Sequence, residues 1–459
     1  MSHSRTYSID VGSDAVLALP DVEVLVIGGG TAGVVAAIAA ARNGAKTLVV
    51  ESMGFLGGSQ TGALVTPIMD YHCGAEALVR GIHEEMVDRL NATGGFDGVW
   101  HSAEALKRLY DEMVEEIGVG VLYYTQAIDT VVENGALTGV VLAGKGGLRL
   151  QRARQSVDAT GDADVARLAG VPCVEGRERD GVNQPASLRF LAGGIETARL
   201  VAYLRQNGVS VQDERRIHVG YCRGGAQDLR DLWEEATARG ELMPPEDGVY
   251  IQLFSVPGCP GLFAFNCPRV TGVRGTDTAS LTRAATLGRQ RAHRILGFCK
   301  RNIPGFESAY MALTAPMVGI RESRRILGEY VLVVEDVLAA RKFGDVVAKS
   351  RYPVDIHNPD HDSGGVTLIA PPEGDYYEIP YRCLVPLKVD DLLVAGRCVS
   401  ATFEAQAAVR VQATCRAMGE AAGTAAALCC RDGVPPRRVD AEALLTQLAE
   451  QGANVARRA

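Results

Sequence analysis

The spacing of apolar positions changes several times along this chain, and each change marks an element. Val22, Val24, Leu25, Val26 and Ile27 form a run that stops at Gly28-Gly29-Gly30, as a strand buried on both faces does. Thr31 to Arg42 is mostly Ala and Val, with no Pro and no Gly after Gly33. A helix packed closely on a sheet is expected there, ending at Asn43-Gly44. Thr47 to Val50 reads as a second strand with Glu51 at its end. Val24 to Ala41 carries no charge, but three consecutive glycines inside it argue against a membrane span. Ala75 to Leu90 and Ser102 to Ile117 show helical spacing, the second through Leu106, Leu109, Met113 and Ile117. His83 and His101 beside these patterns read as surface or packing residues. From Gly120 to Asp158 the period drops to two, with hairpin signals at Asn134-Gly135 and Gly146-Gly147, and a β-meander is expected.

Beyond Gly170 the pattern is irregular as far as Pro316, which suits an inserted domain. Phe263 to Val270 reads as one of its strands and Thr282 to Lys300 as a basic amphipathic helix with one solvated face. Leu392 to Ala395 is another buried strand, stopped by Gly396. Ala405 to Leu428 reads as one long helix.

The glycine spacing carries chemistry. Gly28 permits a tight turn, Gly30 lets a pyrophosphate approach the main chain, and Gly33 allows helix and strand to touch. The helix amino end offers free N–H groups and a positive dipole to the anion. Glu51 is placed to accept hydrogen bonds from ribose hydroxyls and disfavours a 2′-phosphate. The loop GFLGGSQTG brings more backbone toward the same ligand, and Thr160-Gly161-Asp162 turns at the carboxyl end of a returning strand, where ligands of open α/β sheets sit. The meander favours a flavin over a nicotinamide dinucleotide.

With the fingerprint Gly28 to Gly33, the GFLGGSQTG loop and the DATGDADVA segment, the chain resembles the FAD-dependent oxidoreductases with a glutathione-reductase-type flavin domain, relatives of fumarate reductase flavoproteins and thiazole synthase. The resemblance implies an α/β fold: a Rossmann-like FAD-binding domain with a β-meander over 20–180 and 316–445, and an inserted α+β substrate or cap domain over 181–315. It implies FAD with its pyrophosphate over Gly28, Gly30, Thr31, Ala32 and Gly33, and its adenosine ribose at Glu51 and Ser52. Gly57, Gly58, Ser59 and Thr61 would run toward the isoalloxazine, with further contacts at Ala127, Thr160, Gly161, Asp162, Gly396, Arg397, Val411 and Gln412. Arg397 stands where relatives often have an acidic residue on the ribityl chain. No His lies between Glu51 and Gly62, so non-covalent FAD is expected, with His72-Cys73 leaving an unusual link open.

The densest set of catalytic candidates lies between Val318 and Asp360. Four arginines fall between Arg321 and Arg341, and His357 follows Asp355. An arginine clamps a carboxylate with two parallel bonds, and a histidine exchanges a proton near neutral pH. Arg321 and His357 are the expected catalytic residues. Arg189, Gln184, Tyr352, Tyr381 and Arg410 are the expected substrate contacts. Arg324 and Arg325 are expected to pair with Glu322 and Glu329 on an exposed surface.

Net charge and cysteines narrow the classes. A net charge of −8 over 459 residues disfavours a nucleic-acid partner. Eleven cysteines without a CxxC pair support neither a disulfide framework nor a zinc or iron–sulfur site. Eight dispersed histidines give no metal site. The first twenty residues lack a signal-peptide core and no membrane attachment is expected, so a cytoplasmic location is. The expected activity is hydride transfer between flavin N5 and a small substrate bearing a carboxylate or carbonyl. A flavin monooxygenase, a reductase of activated C=C bonds and a non-redox FAD protein are the alternatives, and the electron partner or O2 and a homo-oligomeric state stay open.

Overall fold

The computed structural model describes residues 16–222, 226–243, 250–360 and 365–456. Its first layer is a sheet containing Val22–Ile27 (β1), Thr47–Val50 (β2), Gly120–Leu122 (β3), Gln126–Glu133 (β4), Ala136–Gly144 (β5) and Gly147–Asp158 (β6). β3, β2, β1 and the carboxyl half of β6 pair in parallel, and the amino half of β6 turns out of that sheet to form the antiparallel meander with β5 and β4. One strand thus belongs to both. The hairpin β4–β5 closes through Asn134 and Gly135, both at positive φ, as an Asn-Gly turn requires.

Three helices lie on this sheet: Thr31–Arg42 (α1), Ile82–Ala92 (α2) and Ala103–Glu116 (α3). Two differ from the sequence reading at their ends. α2 starts only at Ile82, because Gly81 at φ +65° breaks the chain and residues before it form a short hairpin, His72–Cys73 with Glu76–Ala77. Ile117 is not on the buried face of α3 but caps it, 37% exposed, since Gly118 ends the helix there.

Between Phe190 and Thr314 stands an antiparallel sheet, Phe190–Gly193 (β7), His218–Cys222 (β8), Tyr250–Ser255 (β9), Phe263–Phe265 (β10) and Tyr310–Thr314 (β11), ordered β8-β9-β10-β7-β11. Behind it runs Thr278–Asn302 (α4). This unit has its own core, in which Ile251 and Leu253 of β9 meet Trp233, Ile295 and Phe298. The chain enters and leaves it side by side, since Ser187 and Gly319 exchange N–H to O=C bonds at 3.0 and 2.8 Å.

The chain then returns through the hairpin Val354–His357 (β12) with Val366–Ile369 (β13), and Leu392–Val394 (β14) adds to the parallel sheet against β6. The last helical stretch is two helices rather than one, Phe403–Val409 (α5) and Gln412–Asp432 (α6). The break is at Arg410 and Val411, where extended backbone at Val411 (ψ 154°) lets α6 start afresh. α6 crosses α1 at backbone contact: a Cβ on Gly419 would lie 2.2 Å from the Ala32 carbonyl oxygen, and one on Gly423 2.0 Å from that of Ala36. No helix among the described residues is long and apolar enough to cross a membrane.

Candidate active site

A cavity of about 1240 Å³ opens where the carboxyl ends of β1, β6 and β14 face the antiparallel sheet. It exceeds the ~300–1,000 Å³ of most small-molecule sites, room for a dinucleotide with a substrate beside it.

At one end the wall is main chain. Gly28, Gly30, Thr31 and Ala32 line it, joined by Glu51, Ser52, Gly58, Ser59 and Ala127. Above Gly30 a Cβ would meet nothing nearer than 3.8 Å, whereas one on Gly33 would lie 1.8 Å from the Gly28 carbonyl oxygen. Gly33 therefore holds the turn against the helix from behind the wall. α1 has neither a side-chain cap nor an acid in its first turn, and α6 likewise has neither. Two helix amino ends without side-chain caps thus face one cavity, an arrangement that can offer N–H donors to an anion. Glu51 is buried and held by the N–H groups of Gly29 (2.9 Å) and Met53 (2.7 Å). Burial raises its carboxyl above the ordinary range, against the pull of these donors.

Gly57 and Thr61 do not line the cavity. The Gly57 N–H donates to Gly29 (2.8 Å) and the Thr61 hydroxyl to Leu56 (2.7 Å), so both shape the loop from within. Further along lie Thr160, Gly161, Asp162, Gly396, Arg397, Val411 and Gln412. Arg397 pairs with Asp162 at 2.8 Å and donates to Ser323. An acid from the turn after β6 thus lies beside Arg397, the residue that follows Gly396.

The other end is cationic. Arg189, Arg321 and Arg410 line it with Tyr352, Asp355 and His357. Arg410 donates to Asp355 (3.2 Å), but among the described residues Arg189 and Arg321 reach only the main-chain carbonyls of Leu64 and Pro185. Burial pushes the Arg189 guanidinium down to about 10; burial and then Arg269 push that of Arg321 down to about 9. Both stay charged at neutral pH. Tyr352 donates to Asp355 at 2.7 Å. Burial alone would raise the Asp355 carboxyl, yet His357, Arg410 and Tyr352 hold it well below the usual carboxylate range.

His357 is fixed by its neighbours. Arg269, which can only donate, lies 2.8 Å from Nδ1. The ring proton of the neutral side chain is therefore on Nε2, 3.6 Å from Asp355. Burial and Arg321 depress its pKa well below the ordinary value. In this arrangement His357 is an N–H donor rather than a base. Gln184 stands behind it and accepts the His357 backbone N–H at 3.1 Å.

Tyr381 lies away from the cavity, buried with its hydroxyl on the Pro436 carbonyl, because the turn after the strand Tyr377–Pro380, which pairs with Val346–Ser350, points it into the helical layer. The exposed pairing expected for Arg324 and Arg325 is also corrected. Arg325 and Glu322 are both buried and paired with each other, while Arg324 meets Asp164 (2.6 Å) and Glu329 meets Arg437 (2.6 Å). Arg324–Ile326 forms a strand, and its alternation sends Arg325 inward. His83 and His101 are buried packing residues, His83 facing Arg416 at 2.9 Å.

The cavity residues missed in the sequence reading include Asp355, Tyr250, Gln252, Trp100, His218 and Phe254; Asn266, expected in the segment that roofs the site, does line the cavity. Asp355 was legible, two residues before His357 on the same face of a strand. Tyr250 and Gln252 alternate likewise on β9, but no local pattern links that strand to the site.

Residues 23–448 match the model of the family described as FAD dependent oxidoreductase. Similar solved structures include a geranylgeranyl bacteriochlorophyll reductase-like protein from Thermoplasma acidophilum (15% identity, 91% of this chain and 79% of that one, TM-score 0.44). Others are the p-nitrophenol 4-monooxygenase of Pseudomonas putida DLL-E4 (10%, 95% and 85%, 0.47) and the L-proline dehydrogenase of P. horikoshii (13%, 95% and 99%, 0.45).

Proposed function

The chain belongs to the family of FAD dependent oxidoreductases, and from that premise we propose that it moves a hydride between FAD and a small substrate bearing a carboxylate. The observation that carries this is the pair Arg189 and Arg321, two buried guanidinium groups facing the cavity with no acidic partner among the described residues. A buried cation without a counter-charge is costly, and a substrate carboxylate supplies one.

FAD would be held by the main chain of Gly28 to Ala32, by Glu51 at the ribose, by Thr160 to Asp162 and Arg397 along the chain, and by the amino end of α6. When bound, it supplies a hydride acceptor or donor at its N5. The protein's own groups do the rest. Arg189 and Arg321 bind and orient the carboxylate, and the cap sheet over the cavity excludes water. Arg410 and Tyr352 hold Asp355 ionised, and Asp355 with Arg269 keeps the His357 proton on Nε2, where it can hydrogen-bond a substrate oxygen.

That tautomer also supports a second reading, reduction of a carbonyl-conjugated C=C bond. Negative charge would then develop at an oxygen, and His357 and the arginines beside it are donors rather than bases.

The test is anaerobic screening of carboxylates for bleaching of the flavin bands, or for their spectral perturbation, in wild type and Arg321→Gln. Ligand affinity should fall about 10- to 100-fold in the variant, the worth of a charged hydrogen-bond partner. Equal affinity for acids and their amides in the wild type would sink the proposal.

A further inference from the structure

The cap sheet offers the cavity a graded face. β8 and β9 pair with His218 opposite Phe254, Gly220 opposite Gln252 and Cys222 opposite Tyr250. The alternate residues Ile251 and Leu253 turn into the cap core, as do Val219 and Tyr221. The intervening residues therefore share the other face, and all but Gly220 line the cavity. At the Tyr250 end this face meets the cationic cluster: the Arg269 guanidinium lies 4.0 Å over the Tyr250 ring, and His357 packs edge-on to it at 5.4 Å. At the other end it is aromatic. Phe254 stacks on Trp100 at 5.2 Å and 14°, and His218 lies 5.4 Å from the same indole. Trp100 is held in place by a backbone bridge to Pro67 and by Arg216 at 5.9 Å from its ring.

Four residue steps lead from Tyr250 to Phe254, roughly 13 Å of strand at ~3.3 Å each. Resting on the carboxylate reading above, we propose that Trp100, Phe254 and His218 form the recognition wall for the far end of the substrate. The substrate class is then an acid whose carboxylate sits at Arg321 and which carries an aromatic ring about one such span away. The middle of the face is low, because Gly220 leaves no side chain opposite Gln252, and a Cβ there would lie 3.3 Å from Ala226 and 3.4 Å from His218. A slim linker fits that stretch, with the Gln252 amide beside it.

The experiment uses FAD-loaded protein and reads perturbation of the flavin spectrum by phenylacetate, 4-phenylbutyrate, 6-phenylhexanoate and 8-phenyloctanoate, with octanoate as the ring-free control. Affinity should rise with chain length and exceed that of octanoate by about tenfold or more once the ring reaches the wall. Trp100→Leu, at a half-buried position outside the cap core, should erase that gain and bring the phenyl acids down to the octanoate level, with Phe254→Leu as the parallel case. Equal affinities with and without the ring would overturn the proposal. So would release of FAD from the Trp100 variant into the ultrafiltrate with the ring preference intact, since the wall would then serve the cofactor. Loss of carboxylate dependence while the ring preference persists would instead sink the anionic reading and leave the wall standing.

Discussion

Adding one methyl group at Gly423 and at Gly297 should move stability in opposite directions. Both glycines sit inside helices, α6 and α4, where Gly→Ala gains about 1 kcal/mol from backbone propensity. At Gly297 the new Cβ meets only the Arg301 guanidinium at 3.5 Å, an ordinary contact with a movable group. Gly297→Ala should therefore stabilise by roughly 0.5–1 kcal/mol. At Gly423 the Cβ would lie 2.0 Å from the Ala36 carbonyl oxygen and 2.8 Å from its carbon. Backbone cannot rotate away as a side chain does, so α1 and α6 must part by roughly 1 Å. A gap of that size forfeits a quarter to a half of each ~0.1–0.2 kcal/mol atomic contact, and over on the order of fifty atom pairs the loss at mid-range values is about 3 kcal/mol. After the propensity gain, Gly423→Ala should destabilise by about 1–3 kcal/mol, the usual range for overpacking. Urea midpoints at one fixed excess of FAD measure both, since free cofactor itself shifts the midpoint. Both helices also present their amino ends to the cavity, so FAD should bind several-fold more weakly to the Gly423 variant alone. A Gly423→Ala protein at least as stable as wild type would refute the reasoning.

Other outcomes follow from single groups. Glu51→Gln removes the charge that holds the Gly29 and Met53 N–H groups, and FAD affinity, read by fluorescence titration, should fall about 10- to 100-fold; an unchanged Kd would rule out its role. Glu322→Gln breaks a fully buried pair with Arg325 and should cost about 3–5 kcal/mol in denaturant unfolding, whereas a surface-like pair would cost under ~1 kcal/mol. Burial raises the Glu420 carboxyl from 4.5 to about 8. The folded state then binds a proton that the unfolded chain has released, so this contribution is fully present below about 4.5 and is lost as pH rises toward about 8. Glu420→Gln, which keeps an acceptor for the Ile82 N–H, should be neutral at the acid end of that window and stabilising at its alkaline end; the same effect at both ends would contradict the assignment.

What the sequence made legible is chemistry done by backbone. Gly28 to Gly33 and Glu51 announce their role because a turn, a close approach and a strand-end acid each demand one residue type at one spacing. The cationic end was half visible: Arg189, Arg321, Arg410 and His357 were found, yet the proton position on His357 depends on Arg269, eighty-eight residues away in the chain. Arg325 was misplaced because Arg-Glu-Ser-Arg-Arg looks like a solvated helix surface, while the strand that carries it turns alternate residues inward. The break between α5 and α6 has no proline or glycine to mark it. It arises from tertiary contacts that draw Arg410 onto Asp355 and restart the helix at the cavity.

The crossing of α1 and α6 also orders events in time. α1 precedes the cap in the chain and its partner α6 follows it, so the parallel sheet waits for β14 and for the helix that crosses α1 before it is complete. The cap's strands pair almost entirely among themselves and enclose a separate core. During synthesis the cap can fold while β6 still waits for β14 beside it, and the platform that binds FAD is completed after it.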